Sequence, residues 1–411
     1  MSNIDIAAWS MLSFFMAFER PIVKVLTAAL KKRLPVFQVL IGPRQVGKTT
    51  LAQQVLKRLP YPSIYASADS PLPPGHEWIE TQWRLAEFEL QRTRKPVVLV
   101  LDEIQKVRGW SESLKMFWDH AQHQGQDIRL LALGSSALLL QEGLSESLAG
   151  RFFLTQCPHW SFKECSSAFG WDLNTWLYFG GYPGAAVFVH EEQQWKRYVM
   201  DSLIETVLAR DVLQMQKIAK PALLRHLFAL AATFPAQIFS YNKMLGQLQD
   251  AGNTTTLAHY LKLLESAFLV SGLELFSQGH TRKRGSSPKL ILWNNALINA
   301  LSTKTFKEMV GEPSWWGRLV ENAVGAHFCN GFSGTGPLLT YWRDGDKEVD
   351  FVITSGSSTW AIEVKSGRSA KVSGMEKFSS KYPKAKSLVL GGAGIPLEKF
   401  FSEPPDAWLK E

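Results

Sequence analysis

The chain has 411 residues, of which 45% are hydrophobic and 20% charged, with a formal net charge of +8 and a pI of about 9.2. That balance excludes a disordered chain, and the length exceeds one ordinary core, so about two to four domains are expected. The three cysteines, Cys157, Cys165 and Cys329, show no CxxC pairing and no companion histidine cluster, which argues against zinc or disulfide frameworks and for a reducing cytoplasm.

The apolar N-terminal stretch "AAWSMLSFFMAF" lacks a preceding basic residue, since the first is Arg20. It is too short to span a bilayer and reads as a packing helix, or as an over-long start before Met16. No membrane partner is expected.

"VFQVLIGPRQVGKTTLAQQVLKRL" runs an apolar strand (Val36–Ile41) into a glycine-bounded loop and then a helix. Gly42, Gly47, Lys48 and Thr49 fit GxxxxGK[ST], with Thr50 following. Glycines let backbone N–H groups curl around phosphates, Lys48 neutralises them, Thr49 holds Mg²⁺, and the helix N-terminus adds partial positive charge. ATP and Mg²⁺ are the expected cofactors.

About fifty residues on, "KPVVLVLDEIQK" gives a strand, Val97–Leu101, apolar enough to be buried on both faces. Asp102 and Glu103 end it, where open α/β sheets bind ligands. Asp102 is expected to hold the metal and Glu103 to orient the attacking water. A third strand, "IRLLALGSSALLL", carries Ser135 at its tip, as a γ-phosphate sensor or as a helix cap. In "SESLAGRFFLT", Arg151 lies between a helix and a strand. It either completes a neighbour's site, which makes a hexameric homo-oligomer the expected assembly, or pairs locally with an acid.

Residues 185–232 have helical spacing. After them, a short helix (Tyr241–Gln249), a Gly252-Asn253 turn and a helix capped by Thr254 or Thr255 read as helix-turn-helix. Two strand-like pieces, "LVSGLELF" and "KLILWN", then flank a basic loop, giving a winged helix. Arg282, Lys283, Arg284 and Lys289 are its candidate DNA-phosphate contacts. His259 and Tyr260 suit core packing or groove contact equally.

The tail reads helix, strand, strand, strand, helix, strand, with a tight turn at Asp346-Lys347. Alternation places Asp350 opposite Val349, Phe351 and Ile353, and puts Glu363 and Lys365 on one face. Asp350 and Glu363, with Glu321 from the preceding helix, would hold a metal, and Lys365 would help position or deprotonate water. The other reading is a domain that kept its fold and lost turnover.

These pieces together resemble AAA-type ATPases. "GPRQVGKTT", "LDEIQ", "GSSA", "LAGRF", "FGGYPGA" and "LARDV" resemble, more narrowly, a prokaryotic family of such ATPases with a C-terminal domain related to restriction-type nucleases. The resemblance runs from about Glu19 to about Gly392. The Glu…Asp…Glu-x-Lys constellation resembles the PD-(D/E)xK superfamily, archaeal-type Holliday junction resolvases included, although Val349 stands where a proline often precedes the aspartate. Arg197 and Arg210 are candidates for a sensor arginine.

The expected architecture is α/β: a P-loop AAA-type core at 1–178, a helical lid at 179–232, a winged helix at 233–300 and a restriction-endonuclease-like domain at 305–411. The resemblance implies an ATP-driven motor that remodels duplex or branched DNA. A nucleotide-dependent regulator with an inactive tail, and a metal-dependent endonuclease gated by ATP, are the rival readings.

Overall fold

The computed structural model describes residues 18–70, 72–135, 147–212, 218, 220–248, 252–277, 287–332, 336–367 and 373–409. The N-terminal apolar stretch up to residue 17, Ser136, the side chain of Arg210 and the wing residues Arg282, Lys283 and Arg284 lie outside them. The chain divides into two compact units, Met1–Pro158 and His159–Glu411.

Unit 1 is a parallel sheet of five strands: β1 (Phe37–Ile41), β2 (Ser63–Ser67), β3 (Val97–Asp102), β4 (Ile128–Gly134) and β5 (Phe152–Gln156). Their order is β2-β3-β4-β1-β5, and every pairing is parallel. All of β1 and β3 is buried, because a parallel sheet takes helices on both faces and its central strands must be apolar throughout. β4 lies between β1 and β3, so the carboxyl ends of all three converge at one edge of the sheet.

Unit 2 opens with helices. Phe162–Phe169 starts on a capping box, in which Ser161 and Glu164 satisfy each other's backbone N–H groups. The helix Tyr241–Gln247 is followed by Thr254–Ser266. The second is capped by Asn253, whose side chain accepts from Thr256 N–H, and not by Thr254 or Thr255: the asparagine sits one residue earlier, in the extended conformation that a cap needs. Tyr260 is buried and its hydroxyl accepts from the Lys220 N–H, whereas His259 is exposed.

Strands β6 (Val270–Leu273) and β7 (Lys289–Leu292) pair antiparallel. The helix Pro313–Phe332 leads to β8 (Leu338–Asp344), β9 (Lys347–Ser355), β10 (Ser358–Lys365), the helix Ser373–Lys381 and β11 (Lys386–Gly391). The sheet order is β11-β10-β9-β8, with only β10 and β11 parallel. The β8–β9 turn is Gly345-Asp346, one residue before the expected Asp346-Lys347: Lys347 already pairs with Asp344 as the first residue of β9.

No packing boundary separates β6 and β7 from the C-terminal sheet. Leu273, Ile291, Val324, Phe328, Phe351 and Ile362 belong to one buried cluster, and Leu275 bridges to Tyr341 of β8. The expected break between 300 and 305 is therefore bridged by a shared core. A polar strut reinforces it: Asn322, wholly buried, accepts from Leu292 N–H and donates to Leu292 O and to Asn295 Oδ1.

Candidate functional site

In unit 1, the chain leaves β1 at Ile41 and turns into the helix Lys48–Arg58 through a loop that only glycine permits at two places. Gly47 has φ +91°, a left-handed conformation strained for other residues. A Cβ on Gly42 would stand 2.0 Å from the carbonyl oxygen of Cys157. The loop thus curls tightly over the end of β1 and presents the first turn of the helix, including Thr50, whose backbone N–H groups have no acceptor within the helix.

Lys48 is the charge at the centre. It is only 7% exposed, and its Nζ donates to Gly42 O at 2.9 Å and Pro43 O at 2.7 Å. Both acceptors are neutral, and among the described residues Lys48 forms no salt bridge. Burial pulls its pKa below the ordinary lysine value, against the opposing field of Glu103. A buried ammonium whose hydrogen bonds go to neutral carbonyls can take an anion, which is what a nucleotide phosphate supplies.

Asp102 closes β3 almost wholly buried. Its Oδ2 accepts from Thr49 Oγ1 at 2.8 Å and from Tyr65 Oη at 2.5 Å. Burial, and then this bond, raise the Tyr65 hydroxyl pKa above its ordinary value, which keeps it a donor. The paired oxygens of Thr49 and Asp102 fit a hard cation such as Mg²⁺. Glu103 follows at φ +53°, an uncommon conformation for a non-glycine residue and one that clusters at functional sites. Its Oε2 accepts from Gln105 Nε2 at 2.6 Å and from Ser135 Oγ at 3.1 Å. Lys48, Thr49, Asp102, Glu103 and Ser135 therefore gather at one sheet edge. Tyr65 and Gln105 escaped sequence reading. Gln105 lies two residues past the acid pair in "LDEIQ", which is a usable signal; Tyr65 carries none.

Arg151 donates to both carboxylate oxygens of Asp119, at 2.7 and 2.9 Å. Its hydrogen bonds hold the Asp119 carboxyl below the usual range. Within the chain this is the local-pair use of the arginine. Arg197 is exposed on the helix Glu192–Tyr198.

Unit 2 holds a cavity of about 480 Å³, lined among others by Arg318, Glu321, Arg343, Glu348, Asp350 and Glu363. Glu363 and Lys365 do share a face of β10, with Lys365 Nζ 2.5 Å from Glu363 Oε1. Asp350 on the neighbouring strand accepts from Val364 N–H at 2.7 Å. Burial first, and Asp350 next, raise the Glu363 pKa.

Lys289, expected on an exposed basic wing, is a correction. It starts β7, is completely buried, and its Nζ lies 2.5 Å from Glu321, 3.1 Å from Glu348 and 3.8 Å from Asp350. Burial alone would lower its pKa, but the charges of Glu321, Asp350 and Glu348 reverse the sign and hold it well above the ordinary value. Three acids share this one ammonium, and burial pushes Glu321 up to about 7. Glu348 was missed in the sequence although it was readable: two residues before Asp350 on a strand, it must share that residue's face. Lys289 was not readable, because its partners lie 32 to 61 residues away along the chain.

Comparison with known proteins agrees with the unit-1 geometry. A family model described as an AAA domain matches residues 36–166, the span that holds the glycine loop and the Asp102-Glu103 pair. Two domains of unknown function, DUF8612 and DUF4143, match residues 170–308 and 316–398. Uncharacterized proteins of Mycobacterium tuberculosis (Rv2008c) and Mycobacterium bovis (Mb2031c) are each 27% identical over 340 residues, 81% of this chain and 70% of theirs. Among solved structures, the Walker-type ATPase PABY2304 of Pyrococcus abyssi is 15% identical, with 69% of this chain and 95% of that one covered at a TM-score of 0.45. The Thermotoga maritima RuvB Holliday junction branch migration motor is 16% identical, with 64% and 92% covered at a TM-score of 0.31. Among the described residues no helix is long and apolar enough to cross a membrane.

Proposed function

We propose that the chain is a Mg²⁺-dependent ATPase that acts on duplex or branched DNA in the cytoplasm. The observation that carries the ATPase reading is the buried Lys48 ammonium, hydrogen-bonded to the carbonyls of Gly42 and Pro43, beside the Thr49–Asp102 oxygens and the Glu103 carboxylate. Lys48 and the loop N–H groups would hold the phosphates, Thr49 and Asp102 the metal ion, and Glu103 would orient and activate water for phosphoryl transfer.

The DNA reading is supported by two consecutive helices and an antiparallel strand pair, the order of a winged helix. A basic stretch, Arg282-Lys283-Arg284, falls between those strands in the sequence. The four-stranded sheet and its acid-lined cavity suit a restriction-endonuclease-like module in which Asp350 and Glu363 hold a metal ion and Lys365 steadies developing charge. The test is ATP turnover with and without duplex, single-stranded and four-way-junction DNA, with incision of the same DNAs followed in Mg²⁺ or Mn²⁺. Stimulation is expected, and replacing Arg282, Lys283 and Arg284 by Ala should weaken binding across sequences and reduce the salt slope by about one per lost contact. Turnover indifferent to every DNA would sink this reading.

One observation favours a second reading, a nucleotide-dependent regulator whose nuclease-like region does not cut: Lys289 already neutralises part of the acid cluster. Turnover unaffected by every DNA, with no incision by wild type, would identify it.

Assembly into a ring, as a hexamer, follows if Arg151 exchanges Asp119 for a neighbour's nucleotide. Both side chains are about one-third exposed, so a partner can reach them. Mixing Arg151→Ala with Glu103→Gln subunits should restore part of the hydrolysis that each lacks alone, since trans-acting arginines contribute on the order of 10³-fold or more. Mixtures as inactive as their components would refute the assignment.

A further inference from the structure

The oxygens around Lys289 are those a divalent ion would choose. Glu321 Oε1, Glu348 Oε1 and Asp350 Oδ1 surround the ammonium, and the Asp350 carbonyl oxygen accepts from it at 3.1 Å. Hard cations take such oxygens at roughly 2.0–2.6 Å. The lysine takes them at hydrogen-bond and ion-pair distance, and it cannot withdraw easily. Its backbone is held in β7 by pairing with Leu273, its side chain is wholly buried, and the Phe351 ring lies 5.1 Å from its Nζ. A divalent ion placed next to the ammonium would be repelled by its like charge.

Glu363 lines the same cavity as Glu321, Glu348 and Asp350. Glu363 is only 8% exposed. Its Oε1 takes the Lys365 ammonium, while its Oε2, also buried, has no hydrogen-bond partner among the described residues. Asp350 has Oδ1 toward Lys289 and Oδ2 toward the Val364 N–H.

We propose that Lys289 is the resident cation of the Glu321–Glu348–Asp350 cluster, so that unit 2 accepts a single divalent ion, on the Asp350–Glu363 side. The inference rests on unit 2 having a cation site, as in the preceding reading, but not on that site cutting DNA. Lys289 then does with a fixed positive charge what a second metal ion would otherwise do: it holds three acids together and keeps Asp350 oriented. The ligand class is a hard divalent cation, one per chain in this unit.

The experiment counts Mn²⁺ bound to the nucleotide-free full-length chain at neutral pH, from the paramagnetic resonance of the free ion. All proteins carry Thr49→Ala and Asp102→Asn, which remove the unit-1 metal ligands. One ion is expected, lost in Glu363→Gln and retained in both Glu321→Gln and Glu348→Gln. Lys289→Met should raise the count to two, and adding Glu348→Gln should return it to one. A count of zero or two with Lys289 in place, or loss of the ion in Glu321→Gln or Glu348→Gln, overturns the proposal. So does a folded Lys289→Met chain that still binds one. Should Lys289→Met fail to fold, the two glutamine variants decide alone. Because no DNA is present, failure of the nuclease reading leaves the count unaffected.

Discussion

Glu103→Gln is expected to slow ATP hydrolysis by about 10²–10⁴-fold, the range for loss of a positioned general base, while ATP still binds. Lys48→Ala is expected to abolish tight binding instead. The two differ because of what each side chain faces. The Lys48 ammonium is buried against Gly42 O and Pro43 O and provides the positive charge that an incoming phosphate meets. The Glu103 side chain contacts Gln105 and Ser135, so neutralising it leaves the phosphate cradle intact and removes the base. Nucleotide binding by equilibrium dialysis and turnover by phosphate release separate the two effects. Undiminished turnover in Glu103→Gln would remove it as the base, and undiminished ATP binding in Lys48→Ala would dismiss the cradle.

The second large effect is on stability. Lys289→Ala is expected to cost about 3–5 kcal/mol, the usual result of removing one partner from a buried ion pair, and to lower the unfolding temperature of unit 2 by on the order of 10 °C. The deficit should depend on pH in a definite direction. Without the ammonium the three acids repel one another in a buried place, and the Glu321 pKa, already raised by burial, loses the charge that held it down and rises further above its unfolded value. Ionising such a carboxyl then opposes folding, and the penalty fades as pH falls towards the unfolded values near 4. Thermal unfolding in EDTA across that range should show the mutant approaching wild type in acid. A deficit constant with pH would mean that the lost aliphatic stem, not the charge, is responsible.

The candidate nucleotide site draws on residues that lie close together along the chain. Gly42, Gly47, Lys48 and Thr49 are neighbours in one loop, and Asp102-Glu103 end an unbroken apolar run. Such signals are local because a single loop would wrap the phosphates. The close approach of Gly42 to Cys157 explains why that glycine is needed, but it involves β5, more than a hundred residues away, and only pairing of β1 with β5 reveals it. Tyr65 reaches Asp102 because β2 and β3 are parallel neighbours in register, Ser67 beside Asp102.

Unit 2 divides differently. Its element order, and the shared face of Glu363 and Lys365, followed from strand alternation, a property of each strand by itself. Glu348, which was missed, could have followed from the same rule applied one step further. Lys289 did not, because "PKLILWN" after a basic stretch looks identical whether the lysine faces solvent or a carboxylate cluster. What turned it inward was the packing of β7 against the helix Pro313–Phe332, in a core that β6, β7 and the C-terminal sheet share. Sequence by itself therefore determined the phosphate loop, the acid pair and the strand faces, since covalent spacing and side-chain alternation suffice for those. Tertiary structure alone decided which cation the second acid cluster contains, because a buried charge takes its partners from whatever strands and helices the core brings within a few ångströms, at sequence distances no local pattern encodes.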